Sequence, residues 1–119
     1  MATDVSAAPD ASPPSLSPRT PQVFFERREL DAILRVYGRM VAAGEWRDYA
    51  IGGGRDAAVF AIFRRTSEAP VYRIEKRPEL ARKQGAFAVI GQGDVVLRRG
   101  QELAQALKVF DSRKFRVVD

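Results

Sequence analysis

The chain of 119 residues contains neither cysteine nor histidine. Without cysteine there are no disulfides, no thiol nucleophile and no thiolate metal site. Without histidine the imidazole base and conventional zinc ligation go as well. No run approaches the ~18 consecutive apolar residues of a membrane span. The N-terminus has neither the basic start nor the apolar core of a secretory signal. These absences lead us to expect no cofactor, no metal and no membrane association. They fit a cytoplasmic protein, since a reducing compartment has no use for paired thiols.

What is abundant is positive charge. The net charge is +5, and sixteen of the twenty basic residues are arginine. Residues 1–22 carry Asp4, Asp10 and Arg19, so the remainder bears +6. A basic body attracts nucleic acid, acidic proteins or anionic lipid. A plainer account also exists. Seventeen alanines accompany the arginines, as a GC-rich coding bias would produce, and arginine then merely solubilises a surface.

Residues 1–22 hold five of the seven prolines and no aromatic residue. A segment of that composition cannot bury enough apolar surface to offset its ordering entropy, so a disordered tail is expected. The single domain is therefore 23–119.

An amphipathic helix is expected near Glu26 to Ala43, with Leu30, Ile33, Leu34, Tyr37 and Val41 as its apolar stripe. Gly44 suits the position that ends it, and Gly38 would allow close packing on a sheet. Five strands follow, at Trp46–Ile51, Ala57–Arg65, Val71–Lys76, Ala86–Ile90 and Val95–Arg99. Gly52 to Asp56, Thr66 to Pro70 and Gly91 to Asp94 read as turns. Residues 79–84 form a polar excursion after Pro78. The second strand is apolar on both faces, which predicts a central strand covered on both sides. A second helix spans Gln101 to Phe110, and residues 112–119 form an extended end. Short connections make neighbouring strands antiparallel. The fold class is α+β: a five-stranded antiparallel meander with an N-terminal amphipathic helix and a short C-terminal helix packed on it.

No catalytic constellation stands out. Glu45 and Asp48 lie at a helix end, Glu75 and Glu79 among basic residues, and Asp94 in a turn. None makes an acid/base pair. Gly52-Gly53-Gly54 lacks the lysine and helix of a phosphate loop, and Gly91-Gln92-Gly93 lies between strands. Gly100, before the second helix, is the one glycine placed to let helix N–H groups face an anion. The strand aromatics Phe60, Phe63, Tyr72 and Phe87 are expected to point inward, which leaves no stacking platform for bases.

The meander gives the arginines a location. At the end where the second strand starts, it gathers Arg55, Lys76, Arg77, Arg82, Lys83, Arg98 and Arg99, beside the second helix's N-terminus. The opposite end receives Arg64 and Arg65, near Glu68 and Asp94. Arginine's planar fork suits bidentate contact with phosphate or carboxylate.

Leu34 to Tyr49 (LRVYGRMVAAGEWRDY), Val71 to Pro78 (VYRIEKRP), Ala88 to Gly91 (AVIG) and Val117 to Asp119 (VVD) resemble a small bacterial family catalogued as a domain of unknown function. The resemblance covers Phe25 to Asp119. It implies a bacterial cytoplasmic protein and transfers no site.

Two functional readings follow. The first is a non-enzymatic binding protein whose basic sheet edge contacts an acidic partner, either a nucleic-acid backbone or an acidic protein. The alternative is an adaptor or structural subunit acting through a hydrophobic sheet face, as a homo-oligomer. An enzyme ranks third.

Overall fold

The structure is a computed structural model and describes residues 22–65 and 69–111. The first helix, α1, spans Arg27–Ala42. Its start is tied by Glu29, whose carboxylate accepts the Glu26 N–H at 2.7 Å, an acid placed where the helix dipole favours one. Gly44, at φ +80, closes its other end, a backbone conformation that glycine adopts without strain. The buried stripe is Ile33, Val36 and Met40, with Leu30 and Tyr37 packed beside it. Leu34 and Val41 are exposed. The expected stripe is thus rotated by part of a turn. The helix is apolar over more than one face's width, and only part of that width is buried. Gly38 has no atom near enough for an added Cβ to touch, so close packing does not explain it.

Five strands follow: β1 Asp48–Gly53, β2 Ala58–Phe63, β3 Tyr72–Lys76, β4 Phe87–Gly91 and β5 Val96–Gly100. They pair antiparallel in the order β1-β2-β3-β4-β5. This is the expected α+β meander. Gly52 and Gly53 belong to β1 and not to the turn, and the backbone reverses between Gly54 and Ala57, whose N–H and carbonyl bond at 2.9 Å. The β3–β4 connection opens with a 3-10 turn, Pro78–Leu80. The β4–β5 connection is another, Gln92–Asp94. The second helix, α2, is shorter than expected, Leu103–Leu107, and continues as a 3-10 turn through Asp111. The expected tail, Glu68 and the extended end at 112–119 lie outside the described residues.

Cross-strand register decides the core. Ile51, Phe60, Ile74 and Val89 form one row, and Tyr49, Ile62, Tyr72 and Gly91 the next. Alternation puts both rows on the same side of the sheet. On that side Phe60, Ile62, Ile74 and Val89 meet Ile33, Val36 and Met40 of α1 and Leu103, Ala106 and Leu107 of α2. Trp46 joins them, its ring edge-to-face with Phe110 at 4.9 Å and tilted against Tyr72 at 5.9 Å.

The other face of the sheet carries Val59, Ala61, Phe63, Arg73, Glu75, Ala88 and Ile90. None of these joins the helix-bearing core. So β2 is an interior strand, as expected, but the described helices cover one side of it only. Phe63 points to this second face, away from Phe60.

Candidate functional site

We call the end of the sheet with the β1–β2 turn its lower end. The row Gly53, Ala58, Lys76, Phe87 and Gly100 marks it. Chain order places six of the seven expected cations at or beside this row, while Arg98, opposite Val89, stands two residues further into the sheet; alternation also divides them between the two sides. Lys76 and Arg98 share rows with the helix-covered residues Phe87 and Val89, whereas Arg99 stands opposite Ala88 on the other side.

Three of the seven are engaged within the fold. Lys76 Nζ lies 2.8 Å from Glu29 Oε1 and 2.9 Å from the Phe24 carbonyl, joining β3 to α1 and the segment before it. Arg77 Nε donates to Glu75 Oε1 at 3.1 Å. Arg99 reaches the Gly85 carbonyl at 3.3 Å and steadies the end of the β3–β4 connection. The other four, Arg55, Arg82, Lys83 and Arg98, have no carboxylate partner among the described residues. They are also the exposed ones.

The second helix adds no anion site to this end. Its start is closed by a capping box between Glu102 and Gln105, with the Glu102 N–H donating to Gln105 Oε1 at 3.0 Å. Gly100 is explained by the same contact, because a Cβ there would fall 2.8 Å from the Gln105 side chain. The cleft between the two helix starts, about 410 Å³, is lined by Glu26, Glu29 and Glu102 against Arg28 alone. This cleft is therefore acidic, and an anion would reach the lower end away from it.

One feature of this end escaped the sequence. Phe24 is 65% exposed. Its ring lies over Gly53, where an added Cβ would stand 3.8 Å from it, next to the Arg55 turn. Nothing in the sequence separates it from its neighbour Phe25, which is buried.

At the upper end the count of arginines was too low. The Arg47 N–H donates to the Phe63 carbonyl at 2.9 Å, so Arg47 joins Arg64 and Arg65 at the end of β2. All three line one cavity of about 420 Å³ with Val41, Gly44 and Trp46. Arg47 belongs there by the meander itself, since the start of β1 must meet the end of β2. A neighbouring cavity of about 550 Å³ is lined by Arg64, Val71, Tyr72, Gly91, Gln92, Val95 and Leu97. Burial raises the Tyr72 hydroxyl's pKa above its ordinary value, Arg64 opposing and Glu45 adding to the shift.

On the open face Glu75 is the one buried charged residue among those described. Arg73 and Arg77 clasp its two oxygens, at 3.4 and 3.1 Å, and Arg73 reaches on to Asp94 at 2.8 Å. Asp94, through that hydrogen bond, raises the Arg73 pKa and holds its charge. Among the described residues no group of three or more acidic, histidine or cysteine side chains is arranged to hold a metal ion. No helix among them is long and apolar enough to cross a membrane.

Residues 23–107 match the family described as protein of unknown function (DUF2794), and the chain belongs to it. No curated protein and no solved structure matches the chain.

Proposed function

We propose that this DUF2794 member is a non-catalytic, cytoplasmic bacterial binding protein that holds a nucleic-acid backbone along the lower end of its sheet. The supporting observation is the set of four exposed cations without carboxylate partners beside the exposed ring of Phe24. Arg55 lies between β1 and β2, Arg82 and Lys83 between β3 and β4, and Arg98 on β5. With strands ~4.8 Å apart, that row runs about 17 Å across the sheet. An elongated polyanion matches such a row better than a small ligand does. Phe24 offers a face on which an unpaired base can stack, which favours nucleic acid over an acidic protein.

The test is equilibrium binding to single-stranded and duplex nucleic acid across a salt series. Four phosphate contacts give a log–log slope of about −3.6 on duplex, or roughly 150-fold weaker binding from about 50 to 200 mM salt. Arg82→Glu with Lys83→Glu should weaken both forms at least tenfold and flatten the slope. Phe24→Ala should weaken the single strand more than the duplex. No binding at low salt, or full binding by the double variant, would end this reading. Retained salt-sensitive binding to an acidic protein alone would move the partner to the protein class.

A second reading rests on a different observation. Val95, Val96 and Leu97 are exposed in succession at the edge of the sheet, and no described helix packs on the face that carries Val59, Ala61 and Phe63. These fit an adaptor or homo-oligomer that associates through this side. Sizing by light scattering tests it, and a monomer at all concentrations counts against it.

A further inference from the structure

The two upper cavities meet at one residue, Arg64, which lines both. On one side the lining is cationic, with Arg47 and Arg65 beside Arg64. On the other it is apolar, with Val71, Val95 and Leu97. Trp46 lines the first and Tyr72 the second, and their rings lie 5.9 Å apart. No carboxylate among the described residues lines either cavity. Arg47 and Arg64 have no ion-pair partner among them. Glu45, the acid whose charge reaches the Tyr72 hydroxyl, is not part of either lining.

Arg47 and Arg64 are like charges without an ion-pair partner among the described residues, and the repulsion between them is relieved by an anion placed between them. Guanidinium groups are suited to this because their forked donors match the oxygens of a carboxylate or phosphate. The apolar walls beyond Arg64 supply what a free inorganic ion would not use. Both cavities fall in the size range of small-molecule sites, ~300–1,000 Å³.

We infer that the upper end of the sheet binds a small amphiphilic oxyanion, with its head on Arg47 and Arg64 and its apolar body against Val71, Val95 and Leu97. The head is a carboxylate or a phosphate monoester. The site is separate from the lower rim and uses none of its residues.

The chain provides its own probe. Trp46 is the only tryptophan and lines the cationic cavity, so ligand binding should change its emission. Octanoate and octyl phosphate, titrated separately against the full chain, tell the two heads apart. One or both should give a saturable change. Octanol, which lacks the charge, and inorganic phosphate, which lacks the body, should each bind at least tenfold more weakly. Arg64→Ala should weaken binding about tenfold or more, and Arg64→Lys should restore part of it. Arg47→Ala, at an exposed position, gives a second variant whose folding is not at stake, and it should weaken binding in the same direction. Arg82→Glu at the lower end should leave binding unchanged. The inference is overturned if neither amphiphile gives a saturable response. It is equally overturned if octanol or inorganic phosphate binds as well as the amphiphile, or if Arg47→Ala and Arg64→Ala bind as the parent does.

Discussion

Lys76 belonged to the basic set by sequence, yet the structure uses it to hold the fold together. Its ammonium sits 2.8 Å from Glu29 Oε1 and 2.9 Å from the Phe24 carbonyl. The side chains of Lys76 and Glu29 are only 14% and 17% exposed. Replacing Lys76 by Met keeps the aliphatic stem and removes the charge. Glu29 is then left largely desolvated, with the Glu26 N–H as its remaining partner. Fully buried pairs cost ~3–5 kcal/mol to break from one side, and exposed pairs under ~1 kcal/mol. A pair mostly withdrawn from water should fall between, at about 2–3 kcal/mol. In a domain of this size each kcal/mol moves Tm by ~4–8 °C, so Lys76→Met should melt roughly 10–20 °C lower by circular dichroism. The double variant Lys76→Met with Glu29→Leu removes both charges and should recover most of the loss. Some deficit remains, because the Glu29 cap on the Glu26 N–H is worth ~0.5–2 kcal/mol. Urea unfolding of the four proteins closes a double-mutant cycle. A Lys76→Met loss below about 0.5 kcal/mol, or strictly additive effects, would refute the argument and return Lys76 to the rim as a free cation.

Two further perturbations have signs fixed by the structure. Gly85 has φ +108, and an added Cβ would stand 2.6 Å from the Gly100 carbonyl oxygen. Gly85→Ala should therefore destabilise by at least about 2 kcal/mol in urea unfolding. Gly38→Ala, in open space on a helix, should stabilise by about 0.5–1 kcal/mol. Finding the two equal would contradict the backbone geometry. The Tyr72 hydroxyl, whose pKa burial raises above the ordinary 10.0, keeps its proton in the folded state after the unfolded state has lost it. Its contribution is fully present below pH 10 and is lost as pH rises through the folded value. Stability between about pH 9 and 11 should fall less steeply in Tyr72→Phe than in the parent, and identical slopes would count against that burial.

The meander was legible because its connections are short and its alternation clean: Tyr72 and Ile74 inward against Arg73 and Glu75 outward needed no partner to be read. The helix face was not. Val36 and Met40 take the buried positions that Leu34 and Val41 were expected to hold, and their hydrophobicity does not separate them. Only the angle at which α1 meets the sheet does so. Glycine misled in the β1–β2 hairpin, where strand pairing carries through Gly52 and Gly53 opposite Val59 and Ala58. At Gly53 an added Cβ would lie 2.8 Å from the Val23 carbonyl oxygen, so this glycine marks a close approach and not a reversal. For the site, chain order collected six of the seven cations at one end, but it could not show which are spent. Lys76 and Arg77 find carboxylates through contacts of the folded state, and Lys76's partner is 47 residues away in sequence.

Glu75 separates the two functional readings. It lies on the face that the helices leave open, yet it is only 8% exposed, held between Arg73 and Arg77. Glu75→Gln preserves the shape and frees two guanidinium groups from a carboxylate. If an acidic partner approaches the lower end from this side, the change adds one unit of positive charge where the partner's phosphates sit. Nucleic-acid binding should then tighten several-fold at low salt, with a steeper salt slope by up to about 0.9. If the open face instead meets a second copy, the same change buries one unbalanced positive charge from each chain in the interface, since Asp94 still pairs with Arg73. Association should weaken, because an uncompensated buried charge costs more than the pair it replaces. Tighter nucleic-acid binding with unchanged size in solution supports the first reading. A loss of oligomer with no gain in nucleic-acid binding supports the second. Neither effect would mean that Arg73, Glu75 and Arg77 close one another off as an internal ion network, and that partners dock elsewhere.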